Sequence, residues 1–313
     1  MNPLLTFFAW ATMFVLTATS VPVALHTSDG MAVAPVAQGN VYVSRDHGIS
    51  WTRKDAGLPE DDGINALLLQ GSRVMAGTGS HGVWVMDGNG WSSQSMGLPP
   101  SARVLSLAAN DRFVFAGLHK HGLYYTTGES NTWHSVGRYY DMNVRALGKL
   151  AGRVYVGTDD GIYLLNMTDL SLTMIQDDVQ VNGFASGSSH LYAATNKGVL
   201  ESRDGKTWTT LFDRGAIQKI AMTGSELRLM DFFGHVYRSP EANPYFISED
   251  LLLPHIHFRL TPASPRIMGG EWSDLSFIRG GTRLGLPDNV PLSILLQTPF
   301  GLMATRPPFN GGC

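Results

Sequence analysis

Three adjacent aspartate pairs, Asp61-Asp62, Asp159-Asp160 and Asp177-Asp178, are the side chains in this sequence best suited to general acid–base work. Glycoside hydrolysis needs two carboxyl groups opposed across a bond at roughly 5–9 Å, a separation that neighbouring residues do not provide but residues from different parts of the chain could. The plainer reading is that these are solvated turn acids. Two His-x-His pairs, His119-Lys120-His121 and His255-Ile256-His257, suggest metal chelation, because residues two apart on a strand share a face. No third ligand accompanies either pair, so no metal site and no cofactor is expected, and ordinary surface or core histidines account for them. The acidic pairs and the first histidine pair fall in loops, which must be held by some repeating framework.

The composition limits what that framework serves. Lys and Arg number 23 against 26 Asp and Glu, a net charge of -3 with no basic cluster, which excludes a nucleic-acid binder held by phosphate contacts. Charged residues are 16% and hydrophobic residues 43%, with 35 Gly and 16 Pro, as in a globular, turn-rich chain. Cys313 is the single cysteine, so intrachain disulfides and multi-cysteine metal sites are excluded. Residues 2–28 carry no Asp, Glu, Lys or Arg, and residues 4–16 form one apolar run. That run has the length of a secretory h-region, and Ala18-Thr19-Ser20 supplies small residues for cleavage after Ser20. An uncleaved membrane tether through residues 4–25 is the other outcome. Residues 1–20 are therefore expected to act as a signal peptide or anchor and residues 21–313 as one exported domain, periplasmic, lumenal or extracellular.

The framework is an internal repeat. SRVMAGTGSHGVWVM from Ser72, RFVFAGLHKHGLYYT from Arg112, RVYVGTDDGIYLLN from Arg153, HLYAATNKGVLES from His190 and ELRLMDFFGHVYRS from Glu226 align as strand–turn–strand units. Their turn glycines, Gly82, Gly122, Gly161, Gly198 and Gly234, are spaced 40, 39, 37 and 36 residues apart. Alternating apolar and polar residues predict half-buried strands, and each glycine is expected to supply the positive φ of a tight turn. An apolar segment precedes each hairpin, and an aromatic residue follows several, at Trp51, Trp91, Trp133 and Trp208. Gly-Leu-Pro recurs at Gly57, Gly97 and Gly285. Four short strands in about 39 residues make a propeller blade, which buries its faces only by stacking on its neighbours. The prediction is an all-β, seven-bladed β-propeller of four-stranded antiparallel blades, with a degenerate blade over residues 251–287. VPLSILLQ and FGLMATRPP would be completed by NVYVS and SWTRK, so that N- and C-terminal strands close the ring. Eight blades follow if residues 21–37 add a further pair of strands.

Ser44, Asp46, Gly48 and Trp51 match the pattern Ser/Thr-x-Asp-x-Gly-x-x-Trp at every defined position. Ser202, Asp204, Gly205 and Trp208 match it with one residue deleted, and the segments around Thr126 and Met86 keep remnants. Asp ties the turn through backbone N–H groups, Gly permits its φ, and Trp packs between sheets. On these motifs the chain resembles the Asp-box (BNR-repeat) β-propeller superfamily, which includes sialidases, xyloglucan-type glycosidases, sortilin-like receptors and photosystem II assembly and stability factors. It is nearest to the last group. The resemblance implies that the Asp-box residues serve folding and lie far from the binding face. A sialidase would need three convergent arginines. Arg145 is the one arginine near a propeller mouth, with Asn65, Leu105, Asn182 and Gln218 at the corresponding places in the other repeats.

What remains is a binding surface. The second-to-third-strand turns present His81, His119, Lys120, His121, Asp159, Asp160, Lys197, Phe232 and Phe233. The inner mouths present Arg145, Asn182 and Gln218, and Tyr139 and Tyr140 lie on a neighbouring interblade loop. These residues vary while their framework repeats, which is how a recognition face sits on a constant scaffold. The expectation is a non-enzymatic exported propeller that binds a membrane-associated protein as an assembly factor or accessory subunit, with no catalytic residue. The alternative is a secreted carbohydrate-active enzyme or glycan-binding propeller.

Overall fold

A computed structural model describes residues 41–45, 52–60, 62–70, 72–87, 90–127, 130–137, 141–223, 225–233, 235–248, 294–298 and 301–305. These residues form strands and turns with no helix, and the strands assemble into six four-stranded antiparallel sheets. The N-terminal strands are β1 (Val41–Ser44) and β2 (Thr52–Arg53). The first blade is β3 (Ile64–Gln70), β4 (Arg73–Thr78), β5 (Val83–Met86) and β6 (Trp91–Ser93). The second is β7 (Val104–Ala109), β8 (Phe113–Leu118), β9 (Gly122–Thr127) and β10 (His134–Ser135). The third is β11 (Val144–Leu150), β12 (Arg153–Thr158), β13 (Gly161–Leu165) and β14 (Leu172–Asp177). The fourth is β15 (Val181–Ser186), β16 (Leu191–Thr195), β17 (Gly198–Ser202) and β18 (Thr209–Phe212). The fifth is β19 (Ile217–Thr223), β20 (Glu226–Asp231), β21 (Val236–Pro240) and β22 (Ile247–Ser248).

The sixth sheet joins the two ends of the chain. It has the order β2-β1-β24-β23, where β23 is Ile294–Thr298 and β24 is Gly301–Thr305. Val41 pairs with Thr305 and Ser44 with Leu302, so β1 enters the sheet between β24 and β2, as the terminal strands predict. Inner strands of successive blades lie side by side in the order β23, β3, β7, β11, β15, β19. This is the architecture of a β-propeller. The proposed degenerate blade over 251–287 and the additional strands over 21–37 lie outside the described residues.

Each core lies between two blades. Val41, Val43 and Met303 of the closing blade pack on Ile64, Val74 and Trp91 of the first; Val83 and Val85 of the first pack on Val104, Val114 and Trp133 of the second. The same exchange continues through the third, fourth and fifth blades. Second strands, read from sequence as half-buried, are buried almost throughout, including all six residues of β8 and all five of β16. Neighbouring blades cover both of their faces, which removes the need for an outward polar side. At Gly77, Gly117 and Gly157 an added Cβ would strike Val104, Val144 and Val181, the first inner-strand residue of the following blade.

The aromatics ahead of the outer strands staple blades together. Trp91 Nε1 donates to the Lys54 carbonyl at 2.8 Å, and Trp133 Nε1 to the Gln94 carbonyl at 2.6 Å, in each case reaching back into the preceding blade. Gly57 and Gly97 lie against these tryptophans with φ of +96° and +90°, and a Cβ on either would collide with the tryptophan carbonyl. The Gly-Leu-Pro repeats at Gly57 and Gly97 therefore mark where one blade receives the backbone of the next, and the third, at Gly285, lies outside the described residues. In the fifth blade Phe246 stands at this place and packs on Phe212 at 4.8 Å.

Candidate functional site

The second-to-third-strand turns and the interblade linkers share one face and are sewn together there. Gly82 N donates to Ala102 O, His119 N to Arg103 O, Asn196 N to Gln180 O and Phe232 N to Ala216 O, at 3.0 to 3.2 Å. Within the turns, Thr78, Thr158 and Thr195 end the second strands with buried hydroxyls that bond the turn backbone. Gly82, Gly122 and Gly198 have the expected positive φ. Gly161 does not; it is required because a Cβ would collide with the Gln176 carbonyl of the outer strand.

Every inner strand of the five blades begins with a bulge at its second residue: Asn65, Leu105, Arg145, Asn182 and Gln218. A bulge re-aims its side chain, and these are the mouth positions identified in the sequence. Most are used internally. Asn65 Nδ2 donates to Val104 O and Asn182 Nδ2 to Ile217 O, each at 2.8 Å, latching one inner strand to the next. Arg145 donates to Asp159 Oδ1 at 3.0 Å and to Asn182 Oδ1 at 3.1 Å. Asn143 extends the network by donating to Asp159 and accepting from Lys120 N at 2.8 Å. Arg145, Asp159, Asn182 and Lys120 are thus brought into one polar chain across three blades. His119 borders it, and burial together with the charges of Arg103 and Lys120 pushes its pKa below the ordinary value.

Other candidates stand apart. His81 Nδ1 lies 2.8 Å from Asp62, whose buried carboxylate also accepts from the Gly63, Ser80 and His81 amides. A carboxylate only accepts, so His81 carries its proton on Nδ1. Asp62 is occupied in tying this turn. Lys197 pairs with Asp178 at 2.5 Å in solvent, and Asp160 and His121 are exposed turn residues. Gln218 is half-buried at its bulge. Tyr139, Tyr140, His255 and His257 lie outside the described residues. Among the described residues no three His, Cys, Asp or Glu side chains converge as metal ligands.

Phe232 and Phe233 occupy the turn of the fifth blade and are 59% and 74% exposed. Their rings meet edge-on at 5.9 Å, and Phe233 lies 6.2 Å from the His235 ring. Asp231 holds the turn from beneath, accepting from Phe233 N at 2.8 Å and His235 N at 2.9 Å and pairing with His235 Nδ1 at 2.8 Å. Asp231 and Asn143 were not singled out in the sequence. The repeat signals the first, since Asp231 takes the place of Thr78, Thr158 and Thr195; Asn143 leaves no comparable trace.

The inner strands β7, β11, β15 and β19 enclose a cavity of about 300 Å³ whose lining includes Lys149 and Lys219. Lys149 donates to Ala109 O at 2.7 Å, another link between inner strands. Lys219 is 3% exposed, where the other blades carry Ala66, Ser106, Ala146 and Gly183, and burial pushes its pKa far below the usual lysine value.

The turn over residues 202–208, which resembles the Asp-box pattern with one residue deleted, is at the opposite end of its sheet from these turns. Asp204 accepts from the Lys206 and Thr207 amides at 2.8 Å, bonds that hold its carboxyl far below the usual carboxylate range. Trp208 packs on Tyr155 of the third blade and Phe184, each with ring centroids 6.4 Å away, and a Cβ on Gly205 would strike the Tyr155 hydroxyl. Asp46, Gly48 and Trp51, the residues of the full pattern match in the sequence, lie outside the described residues.

No family model and no curated protein matches the chain. Solved structures do. The extracellular domain of the hybrid two-component system BT4673 from B. thetaiotaomicron is similar with a TM-score of 0.60 and 8% identity, over 82% of this chain and 38% of that one. A second structure of a BT4673 extracellular domain gives 0.56 and 12%, over 86% and 38%. The fold is a β-propeller. An ancestral GH74 enzyme is similar with a TM-score of 0.52 and 16% identity, over 67% of this chain and 32% of that one. The chain spans 32–38% of the length of these structures, and at such identities the likeness concerns the fold alone.

Proposed function

We propose that the chain is a non-enzymatic, exported propeller that binds a protein partner through the face carrying the second-to-third-strand turns, as an assembly or stability factor or an accessory subunit of a membrane-associated complex. The observation that carries this reading is the Phe232-Phe233 pair, two adjacent large apolar side chains at 59% and 74% exposure on a turn whose Phe233 and His235 amides are bonded to Asp231. Rigid exposed aromatics lose little entropy on docking and are common interface anchors. The neighbouring mouth supports the non-enzymatic part of the reading, because the polar side chains of Arg145, Asp159 and Asn182 are engaged with one another and hold the scaffold. The apolar run over residues 4–16 supports export. The geometry of Asp204, Gly205 and Trp208, which ties a turn and a blade interface, supports reading the chain as an Asp-box propeller; that the assembly-factor group is the nearest is proposed from the sequence motifs alone.

Crosslinking in native membranes followed by affinity purification tests the reading. The wild-type chain is expected to return with a protein partner, and a Phe232→Ser/Phe233→Ser variant without it, at an unchanged melting temperature. Recovery of both only as free monomers would overturn the proposal. Turnover of a glycoside panel, abolished by Asp160→Asn, would favour a carbohydrate-active enzyme instead.

A further inference from the structure

We infer that the surface received by the Phe232-Phe233 turn is an apolar pocket rimmed by cationic side chains on a protein, an inference that rests on the partner-binding reading above and adds the chemistry of the partner. The turn stands on an acidic face. Glu60, Asp141, Asp160, Asp177, Asp178 and Asp213 are all exposed on the linkers and turns of that face. Among the described residues the exposed Lys and Arg side chains there are Arg53, Lys120, Lys197 and Arg214, fewer than the acids, with Arg53 paired to Asp55 and Lys197 to Asp178. The linker bearing Asp213 and Arg214 is bonded directly to the aromatic turn, since Ala216 O accepts Phe232 N at 3.2 Å. An aromatic knob on a face with more exposed carboxylates than cations is repelled by an anionic bilayer and attracted to a basic rim. The buried part of such a contact is supplied by the two rings, while the peripheral carboxylates act mainly on encounter rate and orientation.

The test incorporates the photocrosslinker p-benzoylphenylalanine at Phe233 of the full chain in its native host and identifies the linked residue by mass spectrometry. The same label at His81, elsewhere on this face, serves as reference. Linkage to an apolar residue flanked by Lys or Arg is expected, with a yield that falls several-fold in about 0.5 M NaCl, where screening is nearly complete over contact distances. The same fall is expected in Asp160→Lys/Asp213→Lys, two exposed changes outside the turn. Linkage to a surface without cations, or a yield indifferent to salt and to these substitutions, overturns this inference and leaves the partner-binding reading intact. Absence of any protein linkage from Phe233 and His81 overturns both. Flotation with phosphatidylcholine–phosphatidylglycerol vesicles by the wild type, and not by Phe232→Ser/Phe233→Ser, would make a lipid surface the occupant and also overturn the inference.

Discussion

His119 shows how one side chain can tie the stability of the face carrying the second-to-third-strand turns to pH. Burial and the nearby Arg103 and Lys120 disfavour its charged form, so its pKa in the folded chain is below the ordinary histidine value of 6.5. The unfolded chain then binds the proton more readily, and stability present above pH 6.5 is lost as pH falls from that value through the lower pKa of the folded chain. His119→Gln is expected to flatten this dependence: denaturation midpoints of wild type and variant should diverge between pH 5 and 7.5 by different amounts, with the wild type losing more on acidification. Gly97 tests a different residue-level claim. Its φ of +90° and the Trp133 carbonyl against its α-carbon leave no room for a methyl group. Gly97→Ala should cost at least about 2 kcal/mol, read from urea unfolding, through strain and overpacking. The Gly-Leu-Pro repeat was visible in the sequence, but its reason was not, because the partner of Gly97 is 36 residues away on another blade.

Among the elements, the inner strands have the most specific geometry. Their alternation was legible; their bulges were not, since a bulge is defined by what the paired strand does and leaves the spacing of apolar residues almost unchanged. The bulge turns the same position to different uses, an interblade latch at Asn65 and Asn182 and an ion-pair centre at Arg145. Asn182→Ala removes the donor to Ile217 O and an acceptor from Arg145, and should cost about 1–3 kcal/mol in thermal or chemical unfolding. A neutral result would show that the latch is not part of the blade interface energy. The second strands differ from their expected half-burial for a related reason: the sequence of β8 or β16 states which residues are apolar, while the presence of a sheet on each side decides how many faces are covered.

For the whole molecule, the sheet that joins the two ends of the chain is expected to govern cooperativity. β1 sits between β24 and β2, so Tyr42→Pro breaks a ladder in the sheet that joins residues separated by almost the full chain. The expected outcome is a loss of about 3 kcal/mol or more and a broadened melting transition, with association by size-exclusion chromatography as exposed sheet edges pair. An unchanged, sharp transition would mean that the blades hold without this sheet. By itself the amino-acid order determined the repeat, the four-strand unit, the pairing of the chain's ends and the turn positions of His81, Lys197 and Phe232, because each follows from local periodicity and turn chemistry. Only the tertiary structure decided which of the mouth residues are available. Arg145, Asp159 and Asn182 become scaffold and Phe232 and Phe233 remain exposed, since hydrogen-bond partners 14 to 37 residues distant meet only when blades stack.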